Sequence, residues 1–155
     1  MVKIIQATTQ EQLEAARLLF RRYEEWLGLD LCFQGFEVEL ANLPGKYEPP
    51  AGRLLLAYLD ERLAGCIALR KLEDGICEMK RLYVRDEFQG QRIGVQLIER
   101  LIGDARDIGY SKMRLDTYPA KMSKAVSIYE SRGFIEIPPY YTNPHDGVLF
   151  MEFTL

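Results

Sequence analysis

Residues 81–94 (Arg81-Leu82-Tyr83-Val84-Arg85-Asp86-Glu87-Phe88-Gln89-Gly90-Gln91-Arg92-Ile93-Gly94) constrain this chain more than any other stretch. An apolar run ends at Val84, a short charged turn follows, and a glycine-bearing segment opens a long amphipathic helix. Ile93, Leu97, Leu101, Ala105 and Ile108 fall on one stripe, widened by Ile98 and Ile102, and Gly109 supplies the stop. Glycine at a helix entrance lets another molecule approach the backbone closely. The free N–H groups there, with the positive end of the helix dipole, form an anion site. These residues therefore point to a phosphate-bearing ligand over residues 89–95; the plainer alternative is a glycine turn ahead of an ordinary core helix.

The rest of the chain supplies the sheet that such a unit needs. Residues 2–8 read as a strand, and Thr8-Thr9-Gln10-Glu11 as a capping box before a helix running to Leu27 and closed by Gly28. Residues 36–43 read as a second helix, ended by prolines 44, 49 and 50. Residues 53–59, 63–71 and 75–84 predict an antiparallel meander whose second turn is Glu73-Asp74-Gly75. Alternation slips at residues 79–82, where Lys80 and Arg81 stand together, and a β-bulge explains the slip. A strand over 110–117 follows. Pro119 opens a helix with Met122, Ala125, Val126 and Tyr129 on one face, which Gly133 ends. Residues 134–137 and 148–155 are the last strands. The order predicts an α+β (α/β) fold: a mixed, mostly antiparallel sheet of about seven strands flanked by four helices. At 155 residues and 48% hydrophobic composition, one domain spanning 1–155 is expected.

Charge and cysteine usage exclude several classes. A net charge of −3 argues against nucleic acid as a partner. No apolar run is long enough for a membrane span, and the first residues do not resemble a signal peptide. Cys32, Cys66 and Cys77 are widely spaced, with no metal-ligand cluster around the lone His145, so no metal is expected and reduced thiols in a cytoplasmic protein are. Whether the late strands support a homodimer stays open.

The segment Gln89-Gly90-Gln91-Arg92-Ile93-Gly94 resembles the acyl-CoA signature Gln/Arg-x-x-Gly-x-Gly/Ala of the GNAT superfamily of N-acetyltransferases. The preceding strand Glu78-Met79-Lys80-Arg81-Leu82-Tyr83-Val84 and the later Leu115-Asp116-Thr117 and Ile128-Tyr129-Glu130-Ser131-Arg132-Gly133-Phe134 resemble the family too, so the likeness covers nearly the whole chain. It implies acetyl-CoA, or another short acyl-CoA, as co-substrate. The pyrophosphate would lie on the N–H groups of Gln91, Arg92, Gly94 and Val95, with Gln89, Gly90 and Ile93 shaping the turn. The pantetheine arm would pair with the main chain of Leu82, Tyr83 and Val84, added like a strand where the sheet splays. Arg92 departs from the pattern, replacing the inner glycine. A residue entering a helix normally has negative φ, so arginine is acceptable there, and its guanidinium is in reach of a phosphate.

Acyl transfer from a thioester to an amine needs a base, an oxyanion donor and an acid for the thiolate. Direct attack needs no covalent enzyme intermediate, so a missing Ser/His/Asp set is no objection. The resemblance implies Glu78 as base, directly or through a water relay, with its pKa raised by burial; its plainer reading is a strand glutamate paired with Lys80 or Arg114. Tyr129 is implied as the acid, against a core tyrosine satisfied elsewhere, and the bulge would free the Leu82 N–H for the oxyanion. The acceptor, a small-molecule or protein amine, would meet Asp30, Phe33, Gln34, Glu37, Tyr140, Tyr141 or Asn143, acidic and aromatic groups suited to a cation; alternatively Asp30 caps a helix and residues 138–141 pack as a loop. Cys66 and Cys77 read as buried small hydrophobes. A non-catalytic acyl-CoA sensor of the same fold is the rival reading.

Overall fold

Helix α1 (Gln10–Leu27) is sealed by its own first turn. The Gln12 N–H donates to Thr9 Oγ1 at 3.2 Å, and the Thr9 N–H donates to Gln12 Oε1 at 3.1 Å, satisfying two otherwise orphaned donors. This box sits one residue later than the sequence suggested. Strand β1 (Val2–Gln6) is followed by a bond from the Ala7 N–H to the Leu54 carbonyl at 2.8 Å, which holds the chain extended through Ala7. The computed structural model describes residues 1–31 and 35–155.

Strands β2 (Arg53–Leu59), β3 (Arg62–Glu73) and β4 (Ile76–Val84) form the expected meander. Helix α2 (Phe36–Ala41) is shorter than expected, and a 3-10 turn (Gly45–Tyr47) leads on from it. Helix α3 (Ile93–Ile108) crosses over to β5 (Lys112–Thr117), which pairs parallel to its neighbour, β4. Helix α4 (Pro119–Arg132), β6 (Ile135–Glu136) and β7 (Leu149–Thr154) complete the chain. The sheet has seven strands in the order β1-β2-β3-β4-β5-β7-β6. Its central strands are buried on both faces, so Leu54, Leu55, Leu56 and Ala57 run together without polar alternation. One core lies beneath α3 and contains Leu97, Ile98, Leu101 and Ile102; the other joins α1 and α2 through Leu19, Phe20, Phe36 and Leu40. Each fully buried aliphatic side chain contributes about 2 kcal/mol.

Two irregularities in β4 shape the site. Cys66 pairs with Tyr83 and Ala68 with Lys80, so Ile67 alone faces both Arg81 and Leu82. Arg81 takes φ +62°, and this is the bulge expected from the broken alternation. On the other side, β4 pairs with β5 at Ile76↔Lys112, Cys77↔Met113 and Glu78↔Arg114 and no farther. Beyond Glu78 the two strands part, while β5 continues along β7 to Thr117↔Leu149.

Candidate functional site

The N-terminus of α3 lacks the seal that α1 has. Its N-cap is Arg92, and among the described residues no side chain caps the N–H groups of the first turn. The first intrahelical bond is Gln96 N–H to the Arg92 carbonyl at 3.1 Å, so the N–H groups of Ile93, Gly94 and Val95 precede the ladder. Gln89 Nε2 donates to the Val84 carbonyl at 2.8 Å and ties the turn to the end of β4. Gly90 has φ +81° with open space where a side chain would stand, and a Cβ on Gly94 would meet only Val84 Cγ2 at 3.8 Å. Arg92 corrects the sequence expectation: its φ is +62°, not negative. The chain arrives from the Asp86–Phe88 3-10 turn and reverses through Gly90, so the last residue before the helix falls in the left-handed region where the family pattern has glycine.

These groups line a cleft of about 480 Å³. Leu82, Tyr83, Val84, Gln89, Gly90, Arg92, Ile93, Gly94 and Val95 all face it, whereas Gln91 is exposed outside the lining. Trp26 closes one side, and α4 contributes Lys121, Ser123 and Lys124 opposite. An uncapped helix end, side-chain-free backbone and flanking lysines fit the phosphates and arm of coenzyme A.

A second cleft, about 770 Å³, opens beside the first half of β4. Glu78 and Tyr140 line it, with Tyr141 and Thr142 from the late loop and Val38, Glu39 and Asn42 from α2 and its end. Glu78 is 1% exposed. Arg70 Nε donates to Glu78 Oε1 at 2.8 Å, Lys80 Nζ lies 3.8 Å from the same oxygen, and the Tyr140 hydroxyl donates to Oε2 at 2.6 Å. Burial pushes the carboxyl up, but the Lys80 and Arg70 charges and the two hydrogen bonds outweigh it, and the net shift is below the usual carboxylate value. The expected rise is thus reversed, and the ion-pair partners are Arg70 and Lys80; Arg114 instead meets Glu73 and Glu152.

Between the clefts lies a small gap lined by Lys80, Leu82, Asp116, Met122 and Tyr129. It shares Lys80 with the second cleft and Leu82 and Met122 with the first. Tyr129 is buried and its ring packs against Phe134 at 5.5 Å, but its hydroxyl makes no hydrogen bond among the described residues. Burial pushes its phenol well above the ordinary value. Asp116, also raised by burial, accepts a hydrogen bond from the Tyr141 hydroxyl.

Comparison with known proteins agrees with this fold. Residues 14–134 match the model of the acetyltransferase (GNAT) family. The chain belongs to the GNAT acetyltransferase family. An uncharacterised N-acetyltransferase of Schizosaccharomyces pombe is 41% identical over 92% of this chain and 88% of its own length. Another, of Dictyostelium discoideum, is 36% identical over 100% of this chain and 99% of its own. Among solved structures, an acetyltransferase of Streptococcus agalactiae superposes with TM-score 0.81 at 21% identity, covering 99% of this chain and 98% of that one. The PaiA N-acetyltransferase of Thermoplasma acidophilum, in complex with coenzyme A, superposes with TM-score 0.74 at 20% identity, covering 100% and 99%.

Not all residues nominated from the sequence reach the clefts of this GNAT chain. Asn143 accepts from the Tyr118 hydroxyl at 3.3 Å and from the His145 N–H at 2.8 Å, and donates to the Tyr141 hydroxyl at 2.9 Å. It holds the late loop rather than lining the second cleft. Asp30 is exposed, and its carbonyl pairs with His145 Nε2 at 2.8 Å. Glu37 is bound by Arg21 on the surface. Phe33 and Gln34 lie outside the described residues. Arg70, Glu39 and the α4 lysines were missed. Arg70 had a signal: a hairpin turning at Asp74 sets residue 70 against residue 78, as the register has it. Glu39 had none, because its partner Arg81 is joined to it only by tertiary packing, at 2.9 and 2.8 Å.

Proposed function

We propose that this GNAT acetyltransferase moves an acetyl group from acetyl-CoA to a primary amine, on a small molecule or a protein, by direct attack in a ternary complex. One observation carries this reading: the cleft at the open end of α3 and the cleft at Glu78 adjoin a common gap at the β4 bulge, where Tyr129 stands. The bound thioester would supply an activated acyl group there. The unsealed N–H groups at Ile93–Val95 suit the pyrophosphate, and the edge of β4 that β5 abandons suits the pantetheine arm. Leu82, in the bulge, offers its N–H to the developing oxyanion. Tyr129, protonated throughout the neutral range, donates to the leaving sulfur. Glu78 takes the amine proton, directly or through water.

The rival reading, a CoA-binding sensor without turnover, draws on the same Glu78: a carboxylate held by two cations is a weak base. Calorimetry with CoA and continuous detection of free thiol over a panel of amines separate the readings. Heat of binding together with amine-dependent thiol release is expected; heat without release would favour the sensor. Gly94→Trp places an indole in the α3 cleft and should abolish CoA binding with the fold retained. Unchanged affinity would remove this cleft as the cofactor site.

A further inference from the structure

The second cleft has no carboxylate left to receive an ammonium group. Among the described residues its charged lining is Lys46, Arg70 and Lys80 against Glu39 and Glu78, an excess of one positive charge. Both carboxylates are already engaged. Glu78 is held by Arg70, Lys80 and the Tyr140 hydroxyl. Glu39 is held bidentately by Nε and Nη2 of the buried Arg81 guanidinium, at 2.9 and 2.8 Å. Acidic groups that would welcome a bare cation, as the sequence suggested, are therefore neutralised in place.

Resting on the acyl-transfer reading above, we propose that the acceptor is an amine bearing its own carboxylate, an amino-acid-like molecule whose anion is received by Arg70 with Lys46 and whose apolar body lies along Val38, Pro44 and Leu72. Arg70 uses Nε on Glu78 and Nη1 on the Lys71 carbonyl at 3.5 Å, while Nη2 makes no hydrogen bond among the described residues. Val38 is 68% exposed although apolar, and it lines this cleft. A volume of about 770 Å³ admits a sizeable side chain beside the carboxylate. The same positive field assists the chemistry. Cations near an ammonium favour its neutral form, as Lys80 registers: burial first, then Arg81, pulls its own pKa down. A carboxylate on the acceptor offsets the repulsion on binding, and the amine, its ammonium form disfavoured beside Arg70 and Lys80, passes its proton to Glu78 directly or through water even though Glu78 is a weak base.

The test uses the full chain with saturating acetyl-CoA and matched trios of acceptors: L-phenylalanine, L-phenylalaninamide and phenethylamine; L-leucine, L-leucinamide and isoamylamine. The amides have the less basic amines, so intrinsic reactivity at neutral pH favours them over the acids. The expected result is at least a tenfold advantage in kcat/KM for the acid of whichever trio is turned over. Arg70→Gln should raise KM for the acid about tenfold and bring its kcat/KM level with that of the amide, so that the preference for the carboxylate is lost. Better turnover of amides or plain amines overturns the carboxylate class and leaves acyl transfer standing. Inactivity of every member, with CoA binding intact, also overturns it. Spermidine and a peptide N-terminus assayed alongside then show whether acyl transfer to amines survives.

Discussion

Tyr129 and Glu78 are both buried and titratable, but their surroundings drive them in opposite senses. Burial raises Tyr129 most, and Tyr23 and Asp116 push the same way, so its phenol stays protonated at any working pH and is available as a donor. Tyr129→Phe removes only a hydroxyl that has no hydrogen bond among the described residues, and keeps the ring against Phe134. We expect kcat to fall about a hundredfold with acetyl-CoA affinity and melting temperature nearly unchanged; retained kcat would take Tyr129 out of the mechanism. Glu78 and its neighbour Asp116 allow a second check, on stability. The Glu78 carboxyl is held below its unfolded value, so its stabilisation is complete above about pH 4.3 and is lost as pH falls through the folded value. Asp116 is raised, so its contribution is favourable at low pH and is lost as pH rises from about 3.9 through the folded value. Glu78→Gln should lower the melting temperature at pH 7, where it also removes the carboxylate that Arg70 and Lys80 share. Asp116→Asn should raise it; the Asp116 difference should shrink toward pH 4, whereas the Glu78 difference should persist there and shrink only as pH falls further through the folded value of Glu78. Melting curves with the opposite signs would contradict this account.

At the scale of elements, α3 shows why a motif reads more easily than its geometry. Hydrophobic period, glycine stop and position after a strand located the helix to within a residue, because each is a local property of the chain. The φ of Arg92 is not local: it follows from how the turn after Phe88 joins β4, through the Gln89 bond to the Val84 carbonyl. The β4 bulge was legible because two adjacent cations interrupt an apolar alternation. The partner that neutralises Arg81 was not, since Glu39 approaches from a helix forty-two residues earlier. A non-glycine residue in the left-handed region costs about 1 kcal/mol. Arg92→Gly should therefore stabilise the protein by about that amount in denaturant unfolding. It should weaken CoA binding severalfold if the guanidinium contacts a phosphate. Equal stability would mean the strain is relieved elsewhere, and equal affinity would remove Arg92 from the phosphate site.

For the whole molecule, the parting of β4 and β5 organises both clefts. Pairing that stops at Glu78 leaves an edge of β4 open, which the proposed reading gives to one substrate, and the bulge at Arg81 and Leu82 follows before the chain turns toward α3. The mostly antiparallel sheet of about seven strands was readable from the succession of elements, and the splay from family resemblance; the spatial order of the strands was not among the expectations. The charge balance of the second cleft was not, because Arg70, Lys46, Glu39 and Tyr140 meet only when β3, α2 and the late loop fold together. The arrangement dictates a kinetic form. On the proposed reading, two substrates occupy adjoining clefts and react without passing the acyl group through the protein. Neither described cysteine offers a detour: both are buried, and burial pushes the Cys77 thiol up to about 12 and that of Cys66 higher still. Initial rates measured against acetyl-CoA at several acceptor concentrations should thus give intersecting double-reciprocal lines. Labelled CoA should not exchange with acetyl-CoA in the absence of acceptor, and the intact protein should gain no 42-dalton adduct (about the mass of one acetyl group) during turnover. Parallel lines with acceptor-independent exchange would require a covalent carrier, and the direct-attack mechanism would fall.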